Sequence, residues 1–425
     1  MRQRSNGCPM SQLAATARSM TWRTPAVIIL CGCLISLIGF GPRSAFGFFL
    51  TPMSAANGWG RDVFALAFAL QNLLWGIGQP FAGAVADRFG MVRVLSVGAL
   101  LYAAGLALMA YTTSPITLQV TAGVLVGFGL AGCSFNLVIA AFGKLLPERY
   151  RTLAIGAGTA AGSFGQFLFA PFGVALIDNA GWQNALLVFG GLLLFIVPMA
   201  LALATPRSEP KPAGAGVDVA ATQSLTAALT EAFAHRSYVF LVLGFFTCGF
   251  QLAFITLHLP SYLIDRGLSA QVGGWALATI GLFNIIGSIS VGWLSMHFPR
   301  RYLLAFNYFM RAVFIAAFVL LPASPVTTLL FAAGMGLMWL STVPPTSALV
   351  TLMFGTRWLA TLYGFAFFSH QVGGFLGAWL GGLLYERTGS YDIVWWLTVM
   401  FGLLSAAINL PIEEKPVLRA APAAA

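Results

Sequence analysis

The chain has 425 residues, of which 59% are hydrophobic and 8% charged, and its mean hydropathy is +0.86. That leaves too little polar surface to cover a soluble globule, so lipid must solvate it. The net charge of +10 does not mark a nucleic-acid binder, because the basic residues stand singly between apolar runs instead of forming one face interleaved with aromatics.

Residues 1–24 read as a disordered polar tail. The first apolar run, about Pro25 to Leu50, is too long for a signal-peptide core and is followed by more such runs, so it is expected to stay as an anchor. Runs able to span about 30 Å as helix need roughly 20 residues. They fall near 25–50, 62–86, 91–112, 115–143, 152–178 and 183–204, and in a second set near 237–263, 270–296, 302–322, 325–354, 358–385 and 391–411. The expected fold is therefore all-α: twelve transmembrane helices in two six-helix bundles, 25–204 and 237–411. Between them Thr205 to Arg236, with Pro206, Pro210 and Pro212, reads as a linker with too few large apolar residues to fold alone. Residues 412–425 form a second tail.

Of the 22 Lys and Arg, 17 fall on one side of this layout, Arg23, Arg88, Arg93, Lys144, Arg149, Arg151, Arg236, Arg300 and Arg301 among them. Only Arg61, Arg266 and Arg387 fall on the other. The positive-inside rule then places both termini in the cytoplasm, and the chain is expected in the inner membrane. Five cysteines (Cys8, Cys31, Cys33, Cys133, Cys248) read as packing thiols; Cys31 and Cys33, two apart on a helix, point to different sides and make no metal pair.

Glycines four apart (Gly123 and Gly127; Gly158 and Gly162; Gly373, Gly377 and Gly381) let helix backbones approach closely. In segments five and eleven such a stripe also suits a seam that slides. Pro344-Pro345 is expected to kink or break segment ten.

Arg43, in Gly39-Phe-Gly-Pro-Arg43-Ser-Ala-Phe-Gly47, is the leading site residue. Placing an arginine at mid-helix costs roughly 3 kcal/mol on insertion scales, so it must face water or a partner. Gly39 and Gly47 are expected to clear space around it. None of the twelve Asp and Glu lies in the middle of a span to neutralise it. A carboxylate substrate, matched by the planar fork of the guanidinium, is the missing anion. Gln251, His258 and Tyr262 share a helix face, and His258 is expected to face the same cavity as a donor or proton carrier, histidine being the residue type that changes charge nearest neutral pH. His370, in Ser369-His370-Gln371, is a second such group. Asn136, Gln166, Asn284, Trp339 and Thr342 complete the expected substrate-binding set. Asn and Gln within lipid also hold helices together, so these positions fit either role.

The stretch Gly83-Ala-Val-Ala-Asp87-Arg88-Phe-Gly90-Met-Val-Arg93 follows the second segment, and an eroded copy, Gly292-Trp-Leu-Ser-Met-His-Phe-Pro-Arg300-Arg301, follows the eighth. With the duplicated layout, it resembles the loop signature of the major facilitator superfamily. The resemblance implies that Asp87, Arg88 and Arg93 form a charge-paired conformational latch. With Met296 at the acid position of the copy, the latch is expected to be weak in the second half. It also implies that segment nine, with Arg311, lies at the periphery, where that arginine pairs structurally or snorkels. Arg43-Ser-Ala-Phe-Gly-Phe-Phe-Leu-Thr-Pro52 and His258-Leu-Pro-Ser-Tyr262-Leu-Ile-Asp265-Arg-Gly267 look like a bacterial branch of the monocarboxylate transporter and oxalate:formate antiporter group. That group's carboxylate-binding cations commonly lie on segments eight and eleven, where this chain has no charge in either core, so Arg43 has to act from segment one.

The expected function is secondary active transport of a small organic anion, a monocarboxylate, by alternating access, with a proton as coupling ion and the chain acting as a monomer in lipid. Proton-driven efflux of a hydrophobic drug or metabolite is the alternative, favoured by 13% aromatic residues. No metal cluster, paired acids or nucleophile beside a base marks an enzyme or a cofactor.

Overall fold

The computed structural model describes residues 22–205, 224–355 and 358–417. The expected tail with Arg2, Arg4, Arg18 and Cys8, most of the linker with Arg207 and Lys211, and Arg357 and Arg419 lie outside the described residues. Within them the chain is helical, with no strand. In lipid each backbone N–H and C=O must be satisfied within its own segment, and an apolar run achieves this as a helix.

The first crossing consists of α1 (Pro25–Ser44) and α2 (Gly47–Asn57), the second of α3 (Arg61–Phe89), and the third of α4 (Met91–Met109). The fourth joins α5 (Pro115–Leu118), a π-helical turn (Gln119–Leu125), α6 (Val126–Cys133) and α7 (Phe135–Leu145). Two crossings share α8 (Glu148–Leu194), which breaks at Gly181 (φ 81°), a left-handed backbone that glycine alone adopts freely. The sixth is extended by α9 (Ile196–Ala200). After the short α10 (Leu225–Ala234), the second half holds α11 (Arg236–Asp265), α12 (Ala270–Leu294), α13 (Arg300–Leu320), α14 (Pro325–Met338) with α15 (Val343–Phe354), α16 (Leu359–Thr388) and α17 (Asp392–Asn409). Nine helices among the described residues are long and apolar enough to span a membrane. Counting the two arms of α8 separately and adding α3 and α16 gives twelve. Those two are less apolar because they carry Gln71, Asn72 and Gln79, and Ser369, His370 and Gln371.

The duplication is visible in a matching pair of capping boxes. Ser114-Pro115-Ile116-Thr117 opens the fourth crossing and Ser324-Pro325-Val326-Thr327 opens the tenth, each serine accepting from the threonine N–H while the threonine hydroxyl returns to the serine. Proline at the first helical position has no N–H to lose there. Both crossings then break at mid-course, the fourth at the extended Ser134 and the tenth across 339–342. Pro344 and Pro345 are not the break itself. They sit in the first turn of α15, where their missing donors are tolerated.

The halves meet along three pairs: α3 with α16, the first arm of α8 with α12, and α2 with α11. The expected glycine seam is corrected in part. Gly373 and Gly377 face the Phe246 and Phe250 carbonyls of α11, and Gly381 faces His258, so this stripe packs two crossings of one half. The seam itself uses Gly76 against Gln371, Gly374 against Asn72, and Gly281 against Ser163 and Phe167. Gly39 and Gly47 also clear no space for a guanidinium: Gly39 admits the Cys133 carbonyl and Gly47 the Thr256 and Leu257 carbonyls. Because a Cβ on Gly377 would run into backbone, Gly377→Val is expected to destabilise the protein by about 1–3 kcal/mol, read as a lowered Tm in detergent; an unchanged Tm would refute this packing.

Candidate functional site

Arg43 closes the last turn of α1 beside Pro42, and the chain bends at Ala45–Phe46. Its side chain, 8% exposed, points between the halves. Nη2 donates to Asn72 Oδ1 at 2.5 Å, and Asn72 Nδ2 donates on to the Phe68 carbonyl at 2.8 Å. The guanidinium carbon lies 5.0 Å from the Phe68 ring, 5.2 Å from Trp75 and 6.0 Å from Phe40. Such ring faces stabilise a desolvated cation by roughly 0.5–2 kcal/mol each. Nε is buried without a hydrogen-bond partner among the described residues. Asn72 is a neutral acceptor, so the cation is oriented without being neutralised.

A cavity of about 60 Å³ opens beside it. Phe40, Asn72, Trp75, Phe135 and Asn136 line it from the first half, and Phe245, Leu340, Tyr363, Phe367 and His370 from the second. Both mid-crossing breaks border it, through Phe135 and Asn136 after Ser134 and through Leu340 in the other half. His370 Nδ1 lies 3.2 Å from Gln371 Oε1. Of the residues expected from sequence, the structure brings Arg43, Asn136 and His370 to this cavity.

The others lie elsewhere, and each has a partner that explains why. His258, 0% exposed, holds Nε2 2.8 Å from the Ala378 carbonyl and Nδ1 3.3 Å from the Tyr391 hydroxyl; it joins three helices of one half and does not face Arg43. Gln251 donates to the Thr398 carbonyl at 2.9 Å, and Tyr262 packs its ring 5.3 Å from Trp395. The face shared by these three therefore meets α17. Gln166 bonds the Leu277 carbonyl across the seam at 3.3 Å. Asn284 donates to Ser163 at 2.9 Å and accepts from the Leu340 N–H at 3.0 Å, while Thr342 lies 3.4 Å from the Cys248 thiol. Trp339 gives its carbonyl to Arg311. Arg311 is fully buried and bridges the break of the tenth crossing, with Nε 3.1 Å from the Met338 carbonyl and Nη1 3.4 Å from Gln251 Oε1. It does not snorkel.

The implied latch also differs. Asp87 pairs with Lys144 at the end of α7, not with an arginine. Arg88 lies over the Phe89 ring at 5.2 Å, and Arg93 lines an apolar groove with Phe81 and Phe89.

At the face opposite the basic one, the halves are tied together by residues that read from sequence only as topology markers. Arg61 makes a two-pronged bond to Asp265, Nη1 to Oδ2 at 2.6 Å and Nη2 to Oδ1 at 2.8 Å. Its Nη1 also reaches the Tyr391 hydroxyl at 3.0 Å, and its backbone N–H donates to Glu386 at 2.7 Å. Thr51 and Ser261 bridge the halves at 3.2 Å, and Gln271 donates to Asp178 at 2.8 Å. These bonds tie the halves together on that side of the cavity. Asp265→Asn removes the ion pair, keeping one side-chain acceptor, and is expected to shift the population opened on that side about tenfold, the equivalent of about 1.4 kcal/mol; labelling of a Ser261→Cys reporter checks it, and unchanged labelling contradicts it.

Two six-helix halves that share a cavity and are bonded to each other across one face define a membrane transporter built of two bundles. The profile of the Major Facilitator Superfamily matches residues 32–378, and the chain belongs to that superfamily. It is 28% identical over 408 residues to the MFS-type transporter YcxA of Bacillus subtilis (strain 168), covering 94% of this chain and 97% of the relative. Monocarboxylate transporter 13 of Rattus norvegicus is 26% identical over 91% of this chain and 89% of its own length. Among solved structures, a bacterial homologue of the human lysosomal transporter Spinster shares the fold with a TM-score of 0.74 at 18% identity, covering 92% of this chain and 97% of its own. A D-xylose–proton symporter shares it at 0.70 and 16% identity, with 92% and 98% covered.

Proposed function

We propose that this transporter carries a small organic anion of the monocarboxylate class by alternating access, with Arg43 as the carboxylate anchor. The observation that carries the reading is the Arg43 guanidinium itself: buried, bound to a single neutral acceptor, and turned to a cavity shared by both halves. A bound carboxylate supplies the negative charge that the neighbouring side chains lack. Relatedness to monocarboxylate transporters points the same way. The arrangement is inward-facing: the Arg61–Asp265 gate is shut, and the substrate exchanges with the cytoplasm, where the positive-inside rule places the basic face and both termini. His370, which lines the cavity, is the residue fitted to carry a coupled proton in this reading, since His258 is bonded to Ala378 and Tyr391 instead. Asp87 and Lys144 steady the cytoplasmic ends of the first half, and the chain acts as a monomer in the inner membrane. The test is thermal stabilisation of purified protein by a panel of carboxylates and their amides. Acids alone are expected to raise Tm, and to lose that effect in Arg43→Gln; equal stabilisation of the two proteins would remove the anchor.

A further inference from the structure

The walls of the Arg43 cavity narrow the class of anion. They are aromatic on both sides, with Phe40, Trp75 and Phe135 from one half and Phe245 and Phe367 from the other. Trp75 meets Phe367 edge to face across the halves, 5.7 Å and 76°. Phe367 in turn stacks on His370 at 5.8 Å and 7°, and Phe245 lies 5.1 Å from the same imidazole. These rings are fixed by one another, so the walls are preformed.

Several polar groups at the cavity are already engaged, while the Asn136 amide and the Tyr363 hydroxyl also line it. Asn72 uses its oxygen on Arg43 and its nitrogen on the Phe68 carbonyl. The indole N–H of Trp75 donates to Gln79 Oε1 at 3.0 Å, and His370 Nδ1 faces Gln371. One guanidinium is the sole cation of Lys or Arg type among the lining residues. A dicarboxylate would find no second Lys or Arg for its other charge, and a sugar would bury most of its hydroxyls against ring carbons. A cavity of about 60 Å³ holds the centres of about four to six waters at roughly 10–15 Å³ each, the room that a one-ring acid displaces.

We infer that the carried anion is a monocarboxylate with an apolar, aromatic body, of the benzoate or phenylacetate kind. The carboxylate sits on Arg43, and the ring packs beside the Trp75–Phe367 contact, against Phe40 and Phe135 of one half and Phe245 of the other. Because the ring touches both halves, an aromatic body also couples occupancy to their relative position. This inference rests on the proposed anion reading and deepens it.

The experiment is equilibrium binding of benzoate, phenylacetate, lactate, succinate and benzamide to the purified full chain and to its Arg43→Gln and Trp75→Ala variants. Benzoate and phenylacetate are expected to bind the unaltered protein at least about tenfold more tightly than lactate or succinate, as the loss of apolar contact in a fitted pocket requires. Trp75→Ala is expected to narrow that gap chiefly by weakening the aromatic acids. Lactate or succinate binding as tightly as benzoate, with both weakened by Arg43→Gln, overturns the aromatic specificity and leaves the anion reading standing. Benzamide matching benzoate, with Arg43→Gln without effect, overturns the anion reading itself, as does binding of none of the acids.

Discussion

Arg43→Gln is expected to reduce carboxylate transport by at least about 100-fold while leaving the protein folded. A charge-assisted bond to a buried carboxylate is worth about 1.5–3 kcal/mol, and removing one partner of a buried pair costs about 2–5 kcal/mol. A loss near 3 kcal/mol corresponds to about 150-fold at 1.4 kcal/mol per decade. Stability moves the other way, because a cation that costs roughly 3 kcal/mol to insert is replaced by a neutral amide still able to donate to Asn72. Arg43→Lys keeps the charge but loses the fork, so its activity is expected to fall between the two. Counterflow into proteoliposomes, read beside Tm, separates the effects. Transport lost together with the fold would leave Arg43 a structural residue.

Arg311→Met is expected to destabilise the fold by about 3 kcal/mol, read as a fall in Tm and in the yield of monodisperse protein. The break across 339–342 ends α14 without continuing its hydrogen bonds, so the last carbonyls of that helix need donors from elsewhere. Arg311 supplies them to Met338 and Trp339. After substitution the Met338 carbonyl keeps the Asn307 amide at 3.2 Å, but the Trp339 carbonyl is left with the Cys248 thiol at 4.0 Å. Gln251 Oε1 also loses its cationic neighbour. Each unpaired buried group costs about 1–3 kcal/mol, partly offset by relief of the buried charge. A Met variant as stable as the parent would show that the bridge contributes nothing. The two membrane arginines thus differ in kind: Arg311 is saturated by backbone at a helix break, whereas Arg43 retains an unpartnered donor beside a cavity.

The architecture was legible because lipid permits few solutions. Apolar runs of spanning length, a basic loop after the second of them and an eroded copy in the second half specify two bundles of helices. The Ser-Pro-x-Thr caps at Ser114 and Ser324 were a further sign of duplication in the sequence, and the structure shows what they do. Arg43 stood out because an isolated charge in an apolar run is expensive. The neutral polar residues did not sort themselves in the same way. Periodicity placed Gln251, His258 and Tyr262 on one face, but it does not say which neighbour that face meets; it meets α17 and its N-cap, through Thr398, Trp395 and Tyr391, and at His258 also α16, through Ala378. Gln166 and Asn284 fit either a cavity or a helix-holding role by sequence, and they hold the seam between the fifth and eighth crossings. The aromatic wall at Trp75, Phe245 and Phe367 was hidden among 36 phenylalanines and 11 tryptophans, most of which serve lipid or core. The Arg61–Asp265 gate was hidden because its partners stand at the ends of two different bundles, so no spacing along the chain brings them together.

The most direct measurement of the central claim is the affinity of a matched acid and amide, differing only in charge, for the unaltered protein and for Arg43→Gln. The acid is predicted to bind the unaltered protein about 100-fold more tightly than the amide, and Arg43→Gln to erase that preference. Equal affinity of acid and amide for the unaltered protein, or a preference that survives the substitution, would contradict the account.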